Sequence, residues 1–210
     1  MNPISRGCLI LLPAMLFLHS CTKTIVNKAP APIETKTNPI TDTGFTHYVI
    51  KPGEQFATGT GYMFKTINIA ELHFQVIFDS TAIYKTDTSG NQADINKLYG
   101  FADNNVNDHH KFSARFGWNW YKGQLWLYAY VYNNSIMAFK NLGSIPLGVK
   151  AGCAIVVHGD EYLFVLNGVT TVMPRASTTA TGIGYKLFPY FGGNETAPHQ
   201  INIYIREVGN

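Results

Sequence analysis

Residues 111–133 read KFSARFGWNWYKGQLWLYAYVYN, and the reading of this stretch decides the fold. With period two, Phe112, Ala114, Phe116, Trp118 and Trp120 share one face of a strand, and Ser113, Arg115, Gly117 and Asn119 share the other. The second half repeats the pattern, with Leu125, Leu127, Ala129 and Val131 against Trp126, Tyr128, Tyr130 and Tyr132, in residue types that favour strands. Between them, Tyr121-Lys122-Gly123-Gln124 is a turn, with Gly123 supplying the positive φ that tight hairpins demand. A tip at Lys122-Gly123 sets Asn119 opposite Trp126, Gly117 opposite Tyr128, Arg115 opposite Tyr130 and Ser113 opposite Tyr132. The same register pairs Trp120 with Leu125, Trp118 with Leu127, Phe116 with Ala129 and Ala114 with Val131. Both faces sort in one register, and a slip of one residue would mix them.

The apolar face is a core face. The other combines Arg115 and Asn119 with Trp126, Tyr128, Tyr130 and Tyr132, an unusually apolar wall to leave in water. One reading is a carbohydrate platform: flat rings meet the C–H side of a pyranose while their O–H and N–H groups bind hydroxyls. Arg115 then pairs a uronate carboxylate through its two-pronged guanidinium. The other reading is a second buried layer, covered by a loop or by the N-terminal segment.

Outward from this hairpin, short alternating runs recur: Phe45 to Lys51, Tyr62 to Thr66, Glu71 to Phe78, Lys97 to Ala102, Phe139 to Ile145, Ala151 to His158, Tyr162 to Leu166, Thr170 to Met173, Tyr185 to Phe191 and Gln200 to Arg206. Asn167-Gly168 is a strong hairpin signal. Helical periodicity is absent. About a dozen strands in one domain, residues 45–210, predict an all-β sandwich of two packed antiparallel sheets.

The N-terminus belongs to targeting. Residues 1–7 carry one arginine and no acid, Cys8 to Leu18 form a short apolar run, and Leu16-Phe17-Leu18-His19-Ser20 precedes Cys21. This resembles a bacterial lipoprotein signal of residues 1–20, which implies cleavage before Cys21 and lipidation of that residue, and hence a stable membrane anchor. Residues 21–44, rich in Lys, Thr, Pro and Asn, read as a flexible tether that holds the domain off the membrane. The expected location is the cell envelope, as an outer-membrane lipoprotein. Once Arg6 leaves with the signal, the formal charge of +3 falls toward neutrality, and the basic stripe of a nucleic-acid binder is missing.

With Cys8 removed and Cys21 lipidated, Cys153 stands alone among Ala154, Ile155, Val156 and Val157 and reads as a small buried hydrophobe. The Asp103 to Asp108 loop holds several oxygens of the type that bind Ca2+, although its spacing is not that of an EF-hand, and Asn and Asp also stabilise plain turns. No cofactor is expected otherwise. His109 and His110 are adjacent, which on a strand would point them to opposite faces and away from a shared metal.

Three runs carry a family resemblance: Tyr162-Leu163-Phe164-Val165-Leu166-Asn167-Gly168, Leu187-Phe188-Pro189-Tyr190-Phe191-Gly192-Gly193 and Pro198-His199-Gln200-Ile201-Asn202-Ile203-Tyr204-Ile205. They resemble the back half of a concanavalin A-like jelly roll, a group that includes laminin G-like modules, legume-type lectins, glycoside hydrolases and polysaccharide lyases. With Tyr99-Gly100-Phe101 and Ser113 to Trp118, the domain also resembles lipoproteins of Bacteroidetes-type bacteria. The resemblance implies a carbohydrate site on the concave sheet, where Arg115, Asn119, Trp126, Tyr128, Tyr130 and Tyr132 would lie, without naming a reaction.

A hydrolase of this kind needs paired carboxylates, typically as Glu-x-Asp-x-x-Glu on one strand, and no such strand occurs. A lyase needs a cation for the uronate and a Tyr or His for proton transfer. Arg115, Asn119 and Tyr130 meet that description, with His73, His110 or His199 as base, yet the Arg-Ser/Thr-Glu, Gln-x-His and Tyr-Phe-Lys-x-Gly signatures of alginate lyases are absent, and Tyr190-Phe191-Gly192-Gly193 lacks the lysine. The sequence therefore reads as a non-catalytic carbohydrate-binding domain, with a lyase acting on acidic glycans and a laminin G-like protein-interaction module as alternatives.

Overall fold

A computed structural model describes residues 44–58 and 64–209. The expected signal, Cys21 and nearly all of the expected tether lie outside the described residues, as does part of the strand expected at Tyr62 to Thr66. Among the described residues, the strands are β1 (Thr46–Ile50), β2 (Ala57–Thr58), β3 (Thr66–Ile69), β4 (Glu71–Phe78), β5 (Asn96–Ala102), β6 (Phe112–Tyr121), β7 (Gln124–Asn133), β8 (Ile136–Ile145), β9 (Ala151–His158), β10 (Glu161–Leu166), β11 (Val169–Pro174), β12 (Gly182–Leu187) and β13 (Ile201–Glu207). Two 3-10 turns, Ser80–Ala82 and Ser89–Ala93, are the helical pieces among them.

The central hairpin pairs as its alternation demands. Arg115 faces Tyr130, Asn119 faces Trp126 and Trp118 faces Leu127, with every other predicted pair in place. Lys122 and Gly123 both have positive φ, 51° and 75°, the geometry of a two-residue turn whose twist matches its strands. From this seed grow two antiparallel sheets, a seven-stranded one in the order β11-β10-β9-β4-β13-β1-β2 and a six-stranded one in the order β3-β12-β5-β6-β7-β8.

The sheets meet through the apolar faces. Phe74 of β4 lies edge-on to Phe116 of β6 at 5.4 Å, Phe78 meets Trp118 at 5.1 Å, and Phe116 meets Phe164 of β10 at 5.3 Å. Burying each such side chain contributes about 1.5–3 kcal/mol, so this inter-sheet layer carries most of the stability. Cys153 lies in the same layer, and burial pushes its thiol well above the usual range, leaving it unreactive.

Three departures have local causes. The strand expected over Tyr185 to Phe191 ends at Leu187, because Pro189 offers no N–H to a ladder; Tyr190 instead bridges singly to Phe56 and Lys97. β8 starts at Ile136, earlier than the alternation suggests, because Asn134 and Ser135 with positive φ make a tight return. His109 and His110 do not point apart: they sit in the turn before β6, where strand alternation does not apply, and their rings lie 4.2 Å apart.

Asp103 is not a solvated loop oxygen. It is fully buried, and its carboxylate accepts from Tyr162 Oη (2.6 Å), Arg175 Nε (2.8 Å), and the backbone N–H groups of Asn104 (2.6 Å) and Ile183 (3.2 Å). Its oxygens are thus committed to protein donors. Among the described residues, no group of three or more His, Cys, Asp or Glu is placed to hold a metal ion.

Candidate functional site

Alternation sends Arg115 to the outer side of the six-stranded sheet, opposite the core-facing Phe116. The neighbouring strand reaches it because residue 100 is glycine. A Cβ there would lie 2.2 Å from the Ala114 carbonyl oxygen and 2.5 Å from Arg115 Cβ, so any side chain would force β5 away from β6. The ladder also shifts register between Lys97 and Gly100, which re-aims Lys97 toward the same place.

The result is a cleft of about 590 Å³ with Arg115 in its wall. Tyr130 and Tyr132 come from β7, Tyr185 from β12, Lys97 from β5, His109 and His110 from the turn before β6, and Tyr190 from the segment after β12. Phe56 and Phe64 stand at its margin, the first edge-on to Tyr190 (4.9 Å) and the second stacked on Tyr185 (4.5 Å). No carboxylate is among the described residues that line it.

Arg115 is the unusual member. It is 6% exposed, yet among the described residues its guanidinium makes a single hydrogen bond, from Nη2 to the Phe188 carbonyl (3.2 Å), and its buried Nε has no acceptor. No carboxylate among the described residues pairs with it. Burial lowers its pKa to about 10, with the electron-rich phenols of Tyr130, Tyr185, Tyr132 and Tyr190 opposing, so it stays cationic at neutral pH. A buried cation without a counter-ion is costly, and an anion supplied by a ligand would relieve that cost.

The groups around it follow from the same field. Lys97 donates to the Ile95 carbonyl (2.7 Å), and its Nζ lies 4.9 Å from the centre of the Tyr130 ring. Burial first, then the Arg115 charge, lowers its pKa from 10.5 to about 8. Burial, Arg115 and His110 together hold His109 near 4, so it is neutral at pH 7, with Nδ1 3.1 Å from the Tyr185 hydroxyl. Burial pushes the Tyr130 phenol well above its usual range, so it remains a proton donor at any ordinary pH.

Of the six residues that the sequence placed on one face, the structure brings Arg115, Tyr130 and Tyr132 to the cleft. The other three lie on the same face beyond it. Asn119 is buried, donating to the Ala93 carbonyl (3.0 Å) and accepting from Tyr128 Oη (3.2 Å), and the Trp126 indole N–H donates to the Tyr121 carbonyl (3.0 Å). The Ser89–Ala93 turn packs on β6 at that end. Of the candidate bases, His110 lines the cleft, whereas His73 pairs with Glu71 (2.7 Å) on β4 and His199 contacts the Thr81 carbonyl (2.9 Å).

Sequence reasoning missed Lys97, His109, Tyr185 and Tyr190 as cleft residues. Lys97 left one usable signal, a lone cation opening an otherwise apolar strand; Tyr185 left none.

No family model matches the sequence, and no curated protein matches it. Solved structures do. That of the alginate lyase AlyC3 aligns with a TM-score of 0.53 at 10% identity, covering 78% of this chain and 74% of that one. A Bacteroides ovatus mixed linkage glucan GH16 structure, in complex with a product, aligns with a TM-score of 0.52 at 10% identity, covering 78% of this chain and 81% of that one. The fold is a concanavalin A-like jelly roll. At these identities the likeness is one of fold, and the chemistry of this jelly roll has to be read from its own cleft.

Proposed function

We propose that the protein binds an acidic glycan, with Arg115 taking a uronate carboxylate and Tyr130 and Tyr132 contacting the sugar. The observation that carries this is the buried, carboxylate-free guanidinium in a cleft lined by cations and phenols. A bidentate carboxylate would satisfy the idle N–H groups of Arg115, and phenols suit sugar hydroxyls. We further place the domain in the cell envelope, tethered through lipidated Cys21, as the N-terminal sequence implies.

Arg115→Met keeps the apolar stem and removes the charge. The full chain carrying it should lose affinity for uronate oligosaccharides about 100-fold, the worth of two charge-assisted hydrogen bonds, and should melt no lower than wild type because an unpaired buried charge has gone. Calorimetric titration and a thermal melt read both. Unchanged affinity would sink the proposal.

Lys97 adds a pH signature. Its ammonium persists below its pKa of about 8 and is lost above it, so affinity for an anionic glycan should fall as pH rises through that value. In Lys97→Met that limb should vanish. A flat wild-type profile from pH 6 to 9.5 would remove Lys97 from the binding site.

One observation favours a second reading, β-elimination on the bound chain. Lys97, an amine with a pKa of about 8, sits against Tyr130, a phenol that stays protonated. With Arg115 neutralising the carboxylate, the free Lys97 amine would take the C5 proton. Tyr130 would protonate the departing O4, and the C4–C5 double bond would form as the C4–O4 bond breaks. The two readings separate cleanly: a lyase produces an unsaturated uronate absorbing in the ultraviolet, faster as pH rises through about 8, while a binder produces none.

A further inference from the structure

The outer face of the six-stranded sheet continues past the cleft. Along the β6-β7-β8 ladder, Arg115 pairs with Tyr130 and Tyr130 with Phe139, while Tyr132 pairs with Met137. Cross-strand partners project to the same side of a sheet, so Phe139 and Met137 stand on the cleft face. They do not line the cleft, and they face water: Phe139 is 51% exposed and Met137 44%. Tyr128 meets Phe139 in a T-shaped contact with ring centroids 6.2 Å apart, which holds the exposed ring in place.

We propose that Phe139, with Met137 beside it, is an aromatic subsite for sugars further along the same acidic chain whose carboxylate Arg115 holds. The inference rests on the acidic-glycan reading of the cleft. Neighbouring strands lie about 4.8 Å apart, so the two steps from Arg115 to Phe139 span about 10 Å, which reaches the next sugars rather than the one on Arg115. The chain would cross the strands from β6 toward the edge strand β8. Chemistry changes along that path: a buried cation and phenols grip the carboxylate and hydroxyls, and then an exposed benzyl ring meets the apolar C–H face of a pyranose. Met137 and Phe139 extend the row of Tyr130 and Tyr132 without a break, whereas the exposed Val169 and Val172 belong to β11 of the other sheet. That continuity favours the glycan over a separate protein partner.

An aromatic subsite at this distance adds affinity that depends on chain length and not on charge. The test is calorimetric titration of the full chain at pH 6, where Lys97 is protonated, with the disaccharides and hexasaccharides of mannuronate, galacturonate and glucuronate. Phe139→Ala should weaken the best hexasaccharide about tenfold and leave its disaccharide within about twofold, and Phe139→Trp should restore the loss. Being exposed, the position should leave the melting temperature unchanged. An unaffected hexasaccharide, or an equal loss on both lengths, overturns the subsite. Arg115→Met should lose both lengths; its retention of binding would instead overturn the cleft reading. If none of the six oligosaccharides binds the wild-type protein, both fall.

Discussion

Trp118→Ala should cost about 3–5 kcal/mol of stability, measured as a fall in the urea midpoint at unchanged slope. Trp118 is fully buried in the centre of the inter-sheet layer, with Phe78, Tyr84 and Phe191 around it at ring-centroid distances of 5.1, 5.7 and 6.3 Å. Those rings come from β4, from the segment that follows it and from the segment after β12, so one deletion opens a cavity bounded by three parts of the chain. Close-packed surroundings cannot collapse to fill a cavity of that size. Trp118→Phe should cost much less, because the buried indole N–H has no acceptor among the described residues and its removal leaves nothing newly unpaired. A loss below about 1 kcal/mol for the alanine variant would mean that the layer repacks and that the hairpin's inner face is not what joins the sheets.

Asp103→Ala should be comparably damaging, by about 3–5 kcal/mol, for an electrostatic reason. Asp103 and Arg175 are both buried and pair at 2.8 Å; removing the carboxylate strands the guanidinium and deprives Tyr162, Asn104 and Ile183 of their acceptor. The double variant Asp103→Ala, Arg175→Met should recover part of the loss, since no charge is then left uncompensated. A double-mutant cycle measures this coupling, and simple additivity of the two single losses would refute it. The network also matters to the cleft. Asp103 ties residues 103–105 to Arg175 and Ile183, and the Asn105 N–H donates to the Ile183 carbonyl (2.7 Å), anchoring the loop that delivers His109 and His110.

Arg115 and Asp103 are opposite solutions to one problem. Both are charged groups withdrawn from water. Asp103 is surrounded by donors and holds a cation, so its role is complete within the fold. Arg115 has, among the described residues, one carbonyl and an idle Nε, which leaves its charge uncompensated there. That contrast separates a structural ion pair from the residue on which the proposed binding rests, without appeal to any relative.

What the sequence determined by itself is local and periodic. The side-chain period of a strand and the backbone demand of a two-residue turn are properties of neighbouring residues, so residues 111–133 specified their hairpin, its register and its two faces before any tertiary contact was considered. The same alternation along the chain led to the two-sheet sandwich. Only the tertiary structure decided what each face would meet. Alternation placed Asn119, Trp126 and Tyr128 with Arg115, Tyr130 and Tyr132, but a loop from residues 89–93 packs over one end and leaves the other as a cleft. Asp103 read as a loop oxygen because its cation lies 72 residues away, and Lys97 joined Arg115 only through a register shift at Gly100. Burial and charge pairing are sums over distant segments, and no window of sequence contains them.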